Sequence, residues 1–172
     1  MIPPMLELRP PLPEDADALW RIARERGVME TTMGLASRPR TDYVERIAEP
    51  SPDQHMLVAV LDGEVVGWGG LTVRRGRQRH AADLGLAVST ARQRQGIGTA
   101  LLAALLELAD DWLGLRRVEL TVLTGNDGAR TLYERHGFEV EGRLRGYVAG
   151  EGALRDVWVM GRLRPALERP AD

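Results

Sequence analysis

The residues best suited to chemistry lie in one run from Val88 to Thr99, which reads VSTARQRQGIGT. A strand ends here, a basic polar loop follows, and two glycines, Gly96 and Gly98, open an apolar helix. Glycines at such a turn let backbone N–H groups point inward and let a ligand approach the main chain. The start of a helix adds unpaired N–H donors and partial positive charge, and Arg92 and Arg94 add full charges. The run therefore predicts a site for a phosphate or diphosphate group.

Two familiar phosphate-binding motifs do not fit this run. No Gly-Lys-Ser/Thr follows it, which excludes the lysine-bearing nucleotide loop. The dinucleotide fingerprint also fails, because Leu101 stands where that fingerprint has glycine and no strand–helix–strand unit begins the chain. From the residues alone, the run stays open between a diphosphate site and a tight turn with a solvated basic loop.

Composition narrows the class of protein. A chain of 172 residues is long enough for one domain spanning residues 1–172, with its core at about 6–163. The net charge of −2 gives no indication of a nucleic-acid partner. The absence of cysteine excludes disulfides and a cysteine nucleophile, and the three histidines lack ligand-like spacing, so we expect no metal. With no membrane-length apolar run and no signal peptide, the expected location is the cytoplasm, away from membranes.

The elements that must position the run can be placed from periodicity and turn signals. Asp62-Gly63 between apolar runs predicts a hairpin, because both turn residues need positive φ. The predicted strands are Met5–Arg9, His55–Leu61, Glu64–Val73, Ala81–Val88, Val118–Leu123, Phe138–Tyr147 and Ala153–Leu163. The predicted helices run from Pro13 to Gly27, from Thr41 to Ile47, from Gly96 to Leu113 with Trp112 on the inner side, and from Asn126 or Asp127 to His136. We expect a loose tail from Pro165.

This order of elements defines the fold class. A β-α-β-α unit from Ala81 to His136 is attached to antiparallel hairpins. We therefore expect an α/β fold of the α+β kind, with a mixed sheet that carries helices on both faces.

A second segment lies downstream of the glycine turn at a characteristic separation. It comprises Asn126, Ala129, the run Leu132-Tyr133-Glu134-Arg135 and the pair Gly137-Phe138. Together with Gln93-Arg94-Gln95-Gly96-Ile97-Gly98, which matches the pattern Q/R-x-x-G-x-G/A, it makes the chain resemble the GNAT (GCN5-related) N-acetyltransferase superfamily over about residues 6–163. The resemblance implies a mostly antiparallel mixed sheet that splays at an acetyl-CoA site. It also implies that Gln93, Arg94, Gln95, Gly96, Gly98 and Thr99 bind the diphosphate of CoA.

A narrower likeness concerns one bacterial branch of the superfamily, the L-amino-acid N-acetyltransferases that act on phenylalanine and methionine. The segments that carry this likeness are Ala82–Gly85, Asp111–Leu113, Val118–Val122 and Phe138–Gly142.

The resemblance implies roles for individual residues on the cofactor side. Main-chain groups of Leu86 and Val88 would pair with the pantetheine arm. Asn126 would contact the same arm or cap the following helix. Tyr133 would act as general acid toward the departing thiolate, or simply pack as an aromatic side chain. Arg135 would reach the 3′-phosphate or remain a solvated charge.

The acceptor side is less defined by the sequence. Asp83 is the candidate base; it could equally bind an ammonium group or pair with an arginine. Glu119, His80 and a chain of water molecules are its rivals. Met29, Met33, Trp68 and Tyr147 are candidates for an acceptor pocket only by their placement.

The sequence thus predicts an acetyl-CoA-dependent N-acetyltransferase. The expected reaction moves an acetyl group to a primary amine of a small molecule, with a free amino acid preferred, by direct attack in a ternary complex. The alternatives are a protein N-terminal or lysine acetyltransferase and a CoA-binding sensor without catalysis. The resemblance is also compatible with a homodimer.

Overall fold

The computed structural model describes residues 5–35 and 37–164. The strands are β1 (Leu6–Arg9), β2 (Gln54–Leu61), β3 (Glu64–Val73), β4 (Ala81–Val88), β5 (Arg117–Leu123), β6 (Glu139–Gly150) and β7 (Ala153–Leu163). The α-helices are α1 (Ala16–Ala23), α2 (Arg26–Met29), α3 (Arg40–Ala48), α4 (Ile97–Glu107) and α5 (Asp127–Glu134). Short 3-10 turns at Pro13–Asp15, Gly76–Gln78 and Thr90–Arg92 connect them.

The strands form one sheet in the order β1-β2-β3-β4-β5-β7-β6. In the described part of the chain, neighbouring strands are antiparallel except β4 and β5, which are parallel. The β2–β3 hairpin turns at Asp62 and Gly63, whose φ values of 53° and 81° are the positive angles that such a turn requires. The α/β class with a mixed, mostly antiparallel sheet is therefore as predicted.

Helices cover both faces of the sheet, as alternate residues of β2 demonstrate. Val58 packs with Leu19 of α1 on one face, and Ala59 packs with Leu101 of α4 on the other. The largest core cluster continues from α4 across β4, β5 and β7 to Tyr133 of α5. The sheet thus holds α1 to α3 apart from α4 and α5.

The end of α4 departs from the prediction. A single helix from Gly96 to Leu113 would have buried Trp112, but a π-helical segment, Leu108–Trp112, follows α4 and leaves Trp112 78% exposed. The wider turn shifts the register of every following side chain, which periodicity of 3.6 cannot anticipate. Asp110, inside this segment, pairs with Arg162 of β7 at 2.7 Å.

Two expectations, a loose tail from Pro165 and the absence of a membrane-spanning segment, concern residues that the structure does not describe or describes only in part. The loose tail from Pro165 lies in the undescribed end of the chain. Within residues 5–35 and 37–164, no helix is long and apolar enough to cross a membrane.

Candidate active site

A wedge-shaped gap separates β4 from β5. The two strands pair only at Ala81↔Arg117, Ala82↔Val118 and Asp83↔Glu119. Beyond these pairs, residues 84–88 of β4 and 120–123 of β5 run apart, although β4 remains paired with β3 on its other side. The gap therefore exposes one edge of β4 in the middle of the sheet, where a bound molecule can take the place of a strand.

The main chain of β4 points alternately into and away from this gap. Bonds from Arg74 N to Ala81 O, 2.9 Å, and from Ser89 N to Val66 O, 2.8 Å, show that odd-numbered residues of β4 bond to β3. In an antiparallel ladder the intervening residues turn their N–H and C=O groups to the opposite side. Leu86 and Val88 therefore direct their main-chain groups into the gap. The side-chain amide nitrogen of Gln93, Nε2, donates a hydrogen bond to Val88 O at 3.1 Å.

The turn into α4 supplies unpaired donors next to the gap. Gly96 precedes the helix with φ 80°, and no side chain caps the helix start. Arg94 also has positive φ, 61°, so the turn alternates its peptide directions in the manner of an anion-binding nest. The N–H groups of the first helical turn, which includes Gly98 and Thr99, are thus available to an anion. The Gln95 side chain braces the loop by donating to Ala91 O at 3.3 Å.

Three segments named by the sequence meet at Gly98. A Cβ on this glycine would lie 3.6 Å from Leu132, 3.8 Å from Val88 and 3.9 Å from Leu86. The start of α4, the free edge of β4 and the helix that carries Tyr133 are therefore in van der Waals reach of one another.

Tyr133 lies inside the cluster that lines the gap. It packs with Leu84 of β4 and Leu120 of β5, and its ring meets Phe138 edge-on at 5.7 Å between centroids. The residue is 6% exposed, and burial raises the pKa of its hydroxyl to about 12. The phenol is protonated at neutral pH, as any tyrosine with a pKa of about 10 or above would be, and can act as a hydrogen-bond donor.

Asn126 and Arg135 lie at the two ends of α5. The Asn126 side chain caps the helix by accepting from Ala129 N at 3.1 Å, which leaves its amide NH2 group as a donor. Arg135 is exposed at the carboxyl end and has no ion pair with a described residue. The cap predicted for Asn126 is thus observed, and contacts of either residue with a cofactor stay predictions.

Asp83 lies at the closed end of the gap, within a chain of ion pairs. Arg74 Nε is 3.0 Å from Asp83 Oδ2, and its terminal nitrogen is 2.6 Å from Glu119 Oε2. Arg117 continues the chain by pairing with both Glu119 and Glu141. Burial alone would raise the pKa of Glu119, but hydrogen bonds from Arg117 and Arg74 outweigh it and hold the pKa below its usual value. The pairing with arginine that the sequence left open is therefore present, and a base role for Asp83 stays a prediction.

One contact near the turn into α4 was not predicted from the sequence. The Glu25 carboxylate, between α1 and α2, accepts from Ser89 Oγ at 2.8 Å and from Thr90 N at 2.6 Å. Burial alone would raise the pKa of Glu25, but these hydrogen bonds outweigh it and hold the pKa below its usual value. No local pattern marks Glu25, because its partners follow some 64 residues later.

A cavity of about 530 Å³ adjoins the carboxyl end of β5, at the open side of the gap. Its charged residues are Glu30, Arg143, Arg155 and Asp156, and its other lining residues are Thr31, Leu123, Thr124, Gly125, Asn126 and Leu154. Asp156 holds the Arg143 guanidinium, Nε to Oδ2, at 2.7 Å. Both signs of charge therefore line one small space, and none of the four charged residues had been singled out from the sequence.

A second cavity of about 370 Å³ is more apolar and shares Glu30, Leu123 and Arg155 with the first. Met29 and Met33 line it, as their placement suggested, whereas Trp68 and Tyr147 line neither cavity.

The tip of the β6–β7 hairpin lies beside the second cavity and contacts α2. Glu151 at the tip lies 2.6 Å from Arg155 and 3.3 Å from Arg26 of α2. The Arg26 and Glu151 side chains are 81% and 50% exposed, so their ion pair is a weak, solvated one.

The fold, the gap and the uncapped helix start are those of an acetyltransferase. The profile of the "Acetyltransferase (GNAT) family" matches residues 17–138, and the chain belongs to this family. It is similar to L-amino acid N-acetyltransferase AaaT of Escherichia coli (strain K12), with 33% identity over 151 residues, or 87% of this chain and 93% of the relative.

Solved structures agree with the fold. A GNAT-family acetyltransferase from Streptococcus pneumoniae superimposes with TM-score 0.81 at 30% identity, covering 92% of this chain and 98% of its own. The yncA protein of Salmonella typhimurium, solved with its cofactor acetyl-CoA, gives 0.82 at 20% identity over 97% and 98%. The predicted family, fold class and enzyme class, an N-acetyltransferase dependent on acetyl-CoA, are thus confirmed. The acceptor, the individual site residues and the homodimer stay predictions.

Proposed function

We propose that the protein transfers the acetyl group of acetyl-CoA to the amino group of a free amino acid. The observation that carries the acceptor proposal is the cavity beside the open end of the gap, which presents carboxylates and guanidinium groups together. The relative from Escherichia coli named as an L-amino acid N-acetyltransferase adds support.

The donor side fits CoA in three ways. The unpaired N–H groups at the start of α4 suit a diphosphate, with Arg94 and Gln93 on the adjoining loop. The free edge of β4 at Leu86 and Val88 suits the amides of a pantetheine arm. The thioester of acetyl-CoA supplies the activated acetyl group. Exposed Arg135 at the end of α5 is a candidate for the 3′-phosphate.

The acceptor side suits a zwitterion. A free amino acid carries one ammonium and one carboxylate, and the first cavity offers partners for both. We assign the carboxylate to Arg155, because its present partner Glu151 is half exposed and readily displaced. The adjoining cavity, lined by Met29 and Met33, would take an apolar side chain.

Two proton transfers complete the proposed reaction. Tyr133 is protonated at neutral pH and would donate to the departing thiolate. Burial raises its pKa to about 12, so this transfer is uphill in free energy and depends on its geometry and on coupling to thioester collapse. Main-chain N–H groups at Leu86–Val88 would hold the developing oxyanion, a contribution of about 3 kcal/mol at comparable sites. Asp83 lies three residues before Leu86, about 10 Å along the strand. It would therefore take the amine proton through water rather than directly.

The test is an acceptor panel with matched pairs. Phenylalanine and methionine are compared with 2-phenylethylamine and 3-(methylthio)propylamine, which lack the carboxylate, and CoA thiol release is measured. We expect kcat/KM for the amino acids to be about 50-fold higher or more, as loss of a charge-assisted bond predicts. Equal values for each pair, or faster acetylation of peptide N-termini, would refute the free-amino-acid assignment.

A variant sharpens the assignment of the carboxylate. Arg155→Met should raise the amino acid KM and leave the acetyl-CoA KM unchanged, whereas Arg79→Met, an exposed change in the β3–β4 loop, should alter neither. Binding of CoA without turnover of any amine would indicate the sensor instead.

A further inference from the structure

The corner between α1 and α2 touches the donor turn on one side and the acceptor cavity on the other. Glu25 immediately precedes α2, and its carboxylate binds Ser89 and Thr90 just before the turn into α4. Glu30 immediately follows α2 and lines the acceptor cavity with Thr31. The four residues of α2 therefore separate the two contacts with the proposed substrate sites.

The contact between this corner and the turn is close as well as polar. A Cβ added to Gly27 would lie 2.8 Å from Thr90 Oγ1, so the first turn of α2 rests directly on the Thr90 side chain. A carboxylate that accepts from a main-chain N–H and a hydroxyl makes the stronger, charge-assisted kind of hydrogen bond. Ser89 and Thr90 are therefore joined to the start of α2 by both hydrogen bonds and van der Waals contact.

The far end of the corner is equally well connected. Glu30 N donates to Arg26 O at 2.9 Å, and Thr31 Oγ1 donates to Gly27 O at 2.8 Å. The cavity wall formed by Glu30 and Thr31 is thus hydrogen-bonded to Arg26 and Gly27 of α2, and Gly27 in turn lies against Thr90.

We infer that Glu25 is a positioning residue that couples the two substrate sites: CoA at the turn fixes Ser89–Thr90, and Glu25 passes that order to α2 and the acceptor cavity. The inference rests on the proposed binding of CoA at this turn. Coupling energies of this kind correspond to about 5- to 150-fold in affinity, and they are reciprocal between the two ligands.

Amide hydrogen exchange provides the test, with CoA as the probe. The amides of residues 28–31 are suitable reporters, because each donates within the corner. Those of residues 95–99 report CoA itself. In the wild type, CoA should slow exchange at both sets by about fivefold or more. In Glu25→Ala it should still slow residues 95–99 but alter residues 28–31 by less than about twofold.

Two further variants exclude a merely structural effect. Glu25→Gln keeps one acceptor oxygen and should lie between the wild type and Glu25→Ala. Glu64→Gln removes a 76% exposed carboxylate that approaches the same loop at Arg92, 3.9 Å away, and should behave as the wild type. Undiminished protection of residues 28–31 in Glu25→Ala would overturn the inference.

The outcome separates this inference from the proposed function. Absence of CoA protection at residues 95–99 in the wild type would refute the donor site, and the coupling with it. With the donor site intact, the acceptor Kd of the best amino acid should fall about fivefold or more on adding CoA, and this gain should be lost in Glu25→Ala. An acceptor Kd that is independent of CoA in the wild type would refute the coupling alone.

Discussion

At their amino ends β4 and β5 form a paired ladder, whereas toward their carboxyl ends the same two strands run apart. The paired half carries Asp83, Glu119 and Arg117, joined through Arg74 into a chain of ion pairs that crosses the strands. The open half carries Leu84, Leu86 and Val88, which have no strand beside them on that side among residues 5–35 and 37–164. One strand pair thus contains a half that is held together and a half that is held open.

The contrast between the two halves shows where charged side chains and where apolar side chains stabilise this strand pair. Charged side chains across the closed half fix the distance between the strands at one end, and the gap then widens by geometry alone. The open half carries apolar side chains that pack with residues of α4 and α5, while the edge of β4 facing the gap has no strand partner among the described residues. Under the proposed function, the ion pairs would therefore help to shape the site from its closed end.

The largest effect should come from Tyr133 of α5, which packs against the open half. Tyr133→Phe removes the proposed acid and should lower kcat by about 100-fold or more, with the acetyl-CoA KM within about twofold. Steady-state kinetics measures both values. Tyr147→Phe, at a half-exposed tyrosine outside both cavities, is the matched control and should turn over normally. Undiminished kcat in Tyr133→Phe, with thioester cleavage shown to be rate-limiting, would remove Tyr133 from the reaction.

A smaller effect is expected at the turn that ends the open half. Gly96→Ala places a side chain at φ 80°, which costs about 1–2 kcal/mol of stability, and it should raise the acetyl-CoA KM about tenfold. Gly114→Ala, at φ 61° just beyond the other end of the same helical segment, imposes similar strain away from the turn. Urea unfolding should find the two variants about equally destabilised. A raised KM in both would mean that strain, and not the turn, weakens binding.

The closed half should respond more weakly. Asp83→Asn should lower kcat about fivefold at pH 7, with recovery near pH 9.5, where the acceptor amine is neutral without help. Arg74→Met breaks the same ion pair but keeps the carboxylate, so it should lower stability and show no such recovery. If both variants lose activity equally at every pH, Asp83 serves only the ladder.

The smallest effect concerns alkaline stability. Because burial raises the pKa of Tyr133 to about 12, the folded protein retains a proton that the unfolded chain loses above about pH 10. This contribution is intact below pH 10 and is lost as the pH rises toward 12. At pH 11 the wild type should have lost about 1 kcal/mol more than Tyr133→Phe, measured by urea unfolding relative to pH 9. Parallel losses would show that the phenol is not buried in solution.

Sequence analysis correctly predicted those structural elements that short local patterns determine. The Asp62-Gly63 pair correctly predicted the β2–β3 hairpin, and the glycines at 96 and 98 correctly predicted the start of α4. It could not find the cavity proposed for the acceptor, because Glu30, Arg155 and Asp156 come together only when the end of α2 meets the β6–β7 hairpin. Trp112 was misplaced for a related reason: a π-helical segment depends on tertiary packing and not on a repeat of 3.6.

The hairpin tip at Glu151 has a consequence for how such an enzyme can diversify. Among the described residues, the exposed Arg26–Glu151 ion pair and a hydrogen bond of 3.4 Å from Arg155 Nη1 to Glu30 O join this end of the hairpin to α2 and the residue after it. Under the proposed function, exchanging a few residues at this tip would alter which amines enter, while the Gln93–Thr99 turn proposed for CoA lies on a distant stretch of chain. Under the same proposal, the range of acceptors could change during evolution, or be redesigned in the laboratory, through this hairpin, with α2 as the element that has to be kept.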